Sequence, residues 1–97
     1  METARRALDG QVALVTGASR GLGRAIACAL ADAGASLHLV ADGTEEELAQ
    51  VAAACVERCP SARVSRVMLD LSGPDVPAAM VDAAVGEHGR IDVLVNN

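Results

Sequence analysis

Four residue types are missing from the 97 residues: phenylalanine, tyrosine, tryptophan and lysine. Chemistry that needs a phenol, an indole or an ε-amine is therefore excluded within these residues. All eight basic residues are arginines, and thirteen acidic residues bring the formal net charge to −5. Such a chain has no broad cationic face for a phosphate backbone, so we expect no nucleic-acid partner.

Long apolar runs and metal-binding motifs are also lacking. No stretch approaches the roughly 20 apolar residues of a membrane span, so we expect no membrane association and a cytoplasmic location. Three cysteines, Cys28, Cys55 and Cys59, have spacings that match no metal motif. We interpret them as reduced, buried apolar side chains and predict no metal site.

The residues that are present describe a globular chain. Hydrophobic residues make up 52% of the sequence and charged residues 22%, a balance far from that of disordered chains. At this length the chain fits one compact domain or part of one, and it cannot hold a cofactor domain together with a separate substrate domain.

Hydrophobic periodicity predicts four strands that alternate with three helices. The strands are predicted at 11–16, 36–41, 62–69 and 91–95, and the helices at 21–33, 45–58 and 75–88. Thr44 and Glu47 form a capping-box pattern before the second helix. Asp75 is the expected side-chain cap of the third helix, with Pro77 in its first turn and Gly89 at its end. In the first helix, apolar side chains recur at helical spacing at Leu22, Ile26, Ala29, Leu30 and Ala33.

This alternation predicts the α/β class and a parallel sheet with right-handed crossovers. The expected strand order is 3-2-1-4, which is the N-terminal half of a doubly wound Rossmann-type sheet. Ligands of such sheets bind beyond the carboxyl ends of the strands, where the direction of winding reverses. That point lies between strands one and four, from which Gly17 and Asn96 emerge.

A glycine-rich segment joins the first strand to the first helix. Residues 16–23 read TGASRGLG, and Asp42 follows at the end of the second strand. Glycines allow a tight turn and close approach to a pyrophosphate, while the N–H groups and dipole of the helix start face its charge. In this strand–turn–helix context the segment predicts dinucleotide binding. The alternative is a tight glycine turn that binds no ligand.

The TGxxxGxG spacing and several other segments resemble the short-chain dehydrogenase/reductase family. These are LDGQVALV at 8–15, Gly-Ala at 34–35, Asp-Leu at 70–71, and GRIDVLVNN at 89–97, which is similar to the start of the family's NNAG motif. The resemblance covers the whole chain but only the first part of a typical family member. It implies a partial NAD(P)-binding Rossmann domain over 1–97, with the catalytic half absent.

The resemblance implies a role for each residue of the glycine-rich turn. Gly17, Gly21 and Gly23 shape the turn, and Ser19 and Leu22 lie near the phosphates or the adenosine ribose.

For the remaining strand ends the resemblance implies further cofactor contacts. Asp70 accepts a hydrogen bond from the adenine amino group, with Leu71 beside it, and Asn96 and Asn97 steady the sheet next to the cofactor. Each has a structural alternative: Asp70 caps a loop, and paired asparagines at a strand end satisfy turn backbone.

The residues that discriminate NADP from NAD point in opposite directions. Arg20 offers a guanidinium to a ribose 2′-phosphate, which in this family resembles an NADP preference. The position at the end of strand two where NAD users carry an acid falls on the small Ala41, which leaves room for a phosphate. Asp42, one residue later, argues against a phosphate. We expect NADP(H) in preference to NAD(H).

The activity implied by the resemblance is hydride transfer between NAD(P)H and a small-molecule carbonyl or alcohol. The family's catalytic Ser, Tyr and Lys lie beyond the NNAG segment, and this chain has no Tyr or Lys. We therefore expect the 97 residues alone to be inactive and the complete protein to be an oxidoreductase that forms homo-oligomers. The alternatives are a stand-alone nucleotide-binding module without catalysis and a non-functional truncated product.

Overall fold

The computed structural model describes residues 6–97, in which four strands form one parallel sheet and alternate along the chain with three helices. The strands are β1 Val12–Thr16, β2 Ser36–Ala41, β3 Val64–Met68 and β4 Val93–Val95. The helices are α1 Gly21–Asp32, α2 Glu45–Arg58 and α3 Val76–His88. The strand order is β3-β2-β1-β4 and every pair is parallel. The predicted class and strand order are confirmed.

The two edge strands are shorter than the sequence predicts. β3 pairs with β2 over five residues, and β4 pairs with β1 over three. Hydrogen bonds to the neighbouring strand continue one residue beyond each paired segment: the Leu69 N–H donates to the Ala41 carbonyl and the Asp92 N–H to the Val12 carbonyl, both at 2.8 Å. Arg66 on β3 and Arg63, just before it, are both exposed. No helix within residues 6–97 has the length and apolar character needed to cross a bilayer.

The sheet has a thick apolar layer on one face and a thin one on the other. Alternate residues of β1 face opposite sides, with Val15 in the core beneath α1 and α2 and Leu14 in the core beneath α3. The first core includes Ala13, Ala27, Ala31, Leu37, Leu39, Leu48, Val51 and Cys55. The second consists of Leu14, Val40, Met80 and Ala84.

Helix α1 packs on the sheet through small residues. Its buried positions are Gly23, Ala27 and Ala31, spaced four residues apart on one face. The apolar spacing that begins at Leu22 does not identify this face, because Leu22 is 68% exposed. A glycine and two alanines let the helix axis approach the strands more closely than leucines would. This close approach positions the N-terminus of α1 at the end of β1.

The caps of α2 and α3 differ. The Thr44 hydroxyl accepts a hydrogen bond from the Glu47 N–H at 3.1 Å and donates to the Glu47 carboxylate at 3.0 Å. Asp75 precedes α3, but its side chain makes no capping hydrogen bond, so that prediction was wrong. Its backbone is already in the helical region, with φ −92° and ψ −4°, whereas a capping side chain reaches back from an extended backbone. Gly89, at φ +80°, ends α3 as predicted.

His38 of β2 and His88 of α3 both lie within hydrogen-bond distance of the Ser65 hydroxyl on β3. The Ser65 hydroxyl lies 2.6 Å from His38 Nδ1 and 2.7 Å from His88 Nε2. His38 is 3% exposed, and its Nε2 has no hydrogen-bond partner among the described residues. Burial lowers the pKa of both histidines, with a further decrease from the neighbouring His88 for His38 and from Arg63 for His88. Both rings are therefore neutral near pH 7.

These lowered pKa values predict that the fold is less stable in mild acid. As pH falls below about 6.5, both histidines become protonated in the unfolded chain but stay neutral to lower pH in the folded chain. The free energy of unfolding therefore decreases. Denaturant titrations between about pH 7.5 and pH 5 measure this decrease without interference from carboxylates, which titrate at lower pH. A double variant, His38→Leu with His88→Leu, should lose the dependence over that range. A wild-type stability that is constant or rises on acidification would contradict the prediction.

Candidate functional site

The carboxyl ends of the four strands lie together along one border of the sheet, the carboxyl edge. Because all pairs are parallel, the turns that follow β1, β2, β3 and β4 project from this edge. All ten predicted site residues are in these turns or in the first turn of α1. They are Gly17, Ser19, Arg20, Gly21, Leu22, Gly23, Asp42, Asp70, Leu71 and Asn96.

The turn between β1 and α1 has a conformation that requires glycine. Gly17 and Gly21 both have φ of +60°, where L side chains are strained. Gly23 is buried against the end of β1, and a Cβ there would overlap the Gly17 carbonyl oxygen and lie 2.7 Å from its carbon. Only glycine therefore allows the start of α1 to lie directly on the end of β1.

The N-terminus of α1 is open. The first N–H groups of a helix have no intrahelical acceptor, and the N-cap residue, Arg20, makes no side-chain capping hydrogen bond. Arg20, Gly21 and Leu22 are all exposed. An uncapped helix start with a cationic side chain beside it favours binding of an anion.

Asn97 braces the glycine-rich turn from β4. Its side-chain amide donates to the Gly17 carbonyl at 3.3 Å, and its backbone N–H donates to the Thr16 hydroxyl at 3.0 Å. The amide nitrogen would also lie 2.8 Å from a Cβ at Gly23. Asn96, the other asparagine expected there, accepts a hydrogen bond from the Thr16 hydroxyl at 3.5 Å.

Of the two asparagines that the resemblance places next to the cofactor, Asn97 is thus the one whose side chain contacts the glycine-rich turn. The signal was present in the predicted strand order, since β4 neighbours β1 and the residues that follow both strands must meet.

Ser19 and Asp42 lie where the turns after β1 and β2 adjoin. The Ala18 N–H donates to the Val40 carbonyl at 3.1 Å and ties the two strand ends together. Ser19 is 6% exposed, and its hydroxyl would lie 3.1 Å from a Cβ at Gly43. Asp42 is exposed, next to the buried Ala41. The side chain of Asp42 is therefore accessible to a ligand at the end of β2.

Asp70 combines a loop-capping contact with an exposed carboxylate. One carboxylate oxygen accepts a hydrogen bond from the Ser72 N–H at 3.0 Å, and this bond lowers the pKa of Asp70. Asp70 thus caps the loop after β3, as its structural alternative predicted, with one of its two oxygens. Its other oxygen makes no hydrogen bond within residues 6–97, so it remains able to accept one from a ligand.

An apolar cavity of about 330 Å³ opens at the same edge, on the α3 side. It brings together Leu71, Asn96 and Thr16, with Met80 and Leu94 among the apolar side chains of its wall. Leu71, which follows β3, and Asn96, which follows β4, therefore line the same cavity.

These features fit a dinucleotide. The packing of Gly23 against the Gly17 carbonyl, the two left-handed glycines and the open helix start together form a turn whose free N–H groups can face a pyrophosphate. Asp42 and Asp70 lie beyond neighbouring strands, so each can accept a hydrogen bond from a different part of an adenosine.

Comparison with known proteins agrees with this geometry. A family model described as short chain dehydrogenase matches residues 11–97. An uncharacterised oxidoreductase of Mycobacterium tuberculosis is 46% identical over 90 residues, which cover 93% of this chain and 33% of that protein. The chain spans about a third of the length of the curated relatives it matches.

Solved structures with bound dinucleotides have the same fold. Carveol dehydrogenase from Mycobacterium avium in complex with NAD is 28% identical, with a TM-score of 0.85 over 95% of this chain and 36% of that one. A metagenomic short-chain oxidoreductase in complex with NADP is 44% identical, with a TM-score of 0.82 over 94% of this chain and 40% of that one. The first contains NAD and the second NADP.

Proposed function

The chain belongs to the short chain dehydrogenase family, and from this membership we propose that it is the cofactor-binding portion of an NAD(P)-dependent oxidoreductase acting on a small-molecule carbonyl or alcohol. The observation that carries the proposal is the packing of Gly23 on the Gly17 carbonyl beneath an open helix start. When bound, the nicotinamide cofactor supplies the hydride that such enzymes transfer.

Each strand end has a part in holding the cofactor. The N–H groups at the start of α1 bind the pyrophosphate, and Asn97 holds the Gly17 peptide in place through its hydrogen bond. The free oxygen of Asp70 accepts from the adenine amino group, with Leu71 against the ring. Ser19 and Leu22 lie beside the ribose and the phosphates, and Asn96 lines the adjoining cavity.

Proton transfer requires residues outside these 97. In this family a Tyr donates or accepts the proton and a Lys lowers its pKa, and the chain contains neither. We therefore propose residues 1–97 as a partial Rossmann domain that is inactive alone, within a protein that forms homo-oligomers when complete.

The same absence supports a second candidate, a nucleotide-binding module without catalysis. The two candidates share one cofactor site, so binding does not separate them. Oxidation of NADPH by the complete protein in the presence of carbonyl compounds does: turnover supports the oxidoreductase, and tight binding without turnover supports the module.

We expect NADPH to bind more tightly than NADH. Arg20 is exposed at the start of α1, where its guanidinium can pair with a 2′-phosphate, and the neighbouring Ala41 is small. Removing one charge-assisted pair by Arg20→Ala should weaken NADPH binding about tenfold and leave NADH binding nearly unchanged. Calorimetric or fluorescence titration measures both dissociation constants.

Arg63→Ala is the matched control for Arg20→Ala. Arg63 is an exposed arginine next to the amino end of β3, at the opposite edge of the sheet from the site, and its loss changes the net charge equally. Neither dissociation constant should change in this variant. Tighter binding of NADH than of NADPH by the wild type would overturn the preference, and no binding of either would overturn the proposed function.

A further inference from the structure

Helices α1 and α2 lie side by side and run in the same direction. Each begins at the carboxyl edge of the sheet and returns to the amino edge, as crossovers between parallel strands do. Near their C-termini, Arg58 of α2 donates to the Asp32 carboxylate of α1 at 2.8 Å. This ion pair fixes which faces of the two helices meet.

One turn before this ion pair, each helix carries a cysteine. Cys28 is four residues before Asp32 on α1, and Cys55 is three residues before Arg58 on α2. In parallel helices these positions lie on the same meeting faces. Cys28 packs against the core that contains Cys55. Ala27 and Ala31 of α1 belong to the same buried cluster as Cys55 of α2.

The surroundings of the two thiols differ. Cys55 is fully buried, and burial followed by the neighbouring Cys28 raises the pKa of its thiol to about 12. Cys28 is half-buried and lies one helical turn before Asp32, the ion-pair partner of Arg58. Because Cys55 is fully buried and Cys28 is not, Cys28 is the thiol of the pair that an external reagent reaches.

We propose that Cys28 and Cys55 form a reversible disulfide that joins α1 to α2, with a small-molecule disulfide as the oxidant. The Cys28 thiolate attacks one sulfur of the reagent and forms a mixed disulfide, and the first reagent thiol leaves with the proton from Cys28. The Cys55 sulfur then attacks the Cys28 sulfur, and the second reagent thiol leaves with the proton from Cys55. The two protein thiols lose two electrons, which reduce the reagent to two thiols.

A disulfide between Cys28 and Cys55 would act on α1, the helix at the candidate cofactor site. The bond would fasten the middle of α1, whose N-terminus forms the candidate site, to the neighbouring helix. The oxidation chemistry depends on packing between the helices alone, so it can be tested whether or not a cofactor binds.

The test is a count of free thiols after treatment of the folded chain with glutathione disulfide at mildly alkaline pH. The reduced chain has three cysteines, and we expect one free thiol after oxidation, with peptide mapping that links Cys28 to Cys55. Since the second step requires the poorly acidic Cys55 thiol, the yield at fixed time should rise with pH.

Cys59→Ser is the matched control. Cys59 is also buried in α2's C-terminal cap, where its sulfur lies 3.7 Å from the Ser61 hydroxyl. This variant should oxidise as the wild type does and retain no free thiol, whereas Cys28→Ser should form no internal disulfide. Retention of three free thiols, a product that stops at the glutathione adduct of Cys28, or a bond to Cys59 would each overturn the proposal.

Discussion

Replacing Gly23 with alanine should reduce cofactor affinity at least about a hundredfold, which corresponds to about 2.7 kcal/mol of binding free energy. The new Cβ would overlap the Gly17 carbonyl oxygen, so either α1 moves away from β1 or the turn rearranges. Both changes displace the N–H groups that face the pyrophosphate. The overpacked contact should also lower the free energy of unfolding by about 1–3 kcal/mol. Titration with NADPH and denaturant unfolding measure the two effects.

Gly86→Ala provides the matched control for Gly23→Ala. Gly86 lies inside α3, and a Cβ there would meet no atom within 4 Å. Alanine at this position should leave affinity unchanged and raise the free energy of unfolding by about 0.5–1 kcal/mol, because glycine is a poor helix former. If Gly23→Ala binds NADPH as the wild type does while remaining folded, the glycine-rich turn is not the pyrophosphate site.

The strand order was predictable because it depends on few physical rules. Short apolar strands that alternate with helices require crossovers, and crossovers are right-handed. Reversal of the winding after the third strand is the pattern of the doubly wound fold, in which the first strand is central. The residues at the strand ends, among them Gly17 and Asn96, then fall on one edge whatever the exact strand lengths are.

Details that depend on three-dimensional packing were less predictable. The inner face of α1 is formed by Gly23, Ala27 and Ala31, and a hydrophobicity pattern gives these small residues less weight than Leu22. The role of Asn97 depends on where its amide points, toward the Gly17 carbonyl, which spacing along the chain does not indicate. Asp75 has the residue type of a cap but not the backbone conformation.

Asp42→Arg should shift the ratio of NADPH to NADH affinity about a hundredfold toward NADPH. Asp42 is exposed directly after β2, next to Gly43, where a Cβ would lie 3.1 Å from the Ser19 hydroxyl. In the proposed site its carboxylate would repel a 2′-phosphate and accept from a 2′-hydroxyl. The substitution removes both effects and places a second guanidinium near Arg20. Each charge-assisted hydrogen bond contributes about 1.5–3 kcal/mol, so one new pair with the phosphate is sufficient for the shift.

Asp82→Arg separates this local effect from a change in overall charge. Asp82 is exposed on α3, which covers the other face of the sheet, and its substitution changes the net charge by the same amount. Long-range attraction alone would raise the affinity for both cofactors in both variants, and more so at low salt, because the Debye length is about 10 Å at 0.1 M ionic strength. A shift confined to Asp42→Arg and retained at high salt therefore means direct contact with the phosphate. Equal shifts in the two variants would mean that Asp42 does not face the ribose, and the residues that set the preference would then be Arg20 and Ala41 alone.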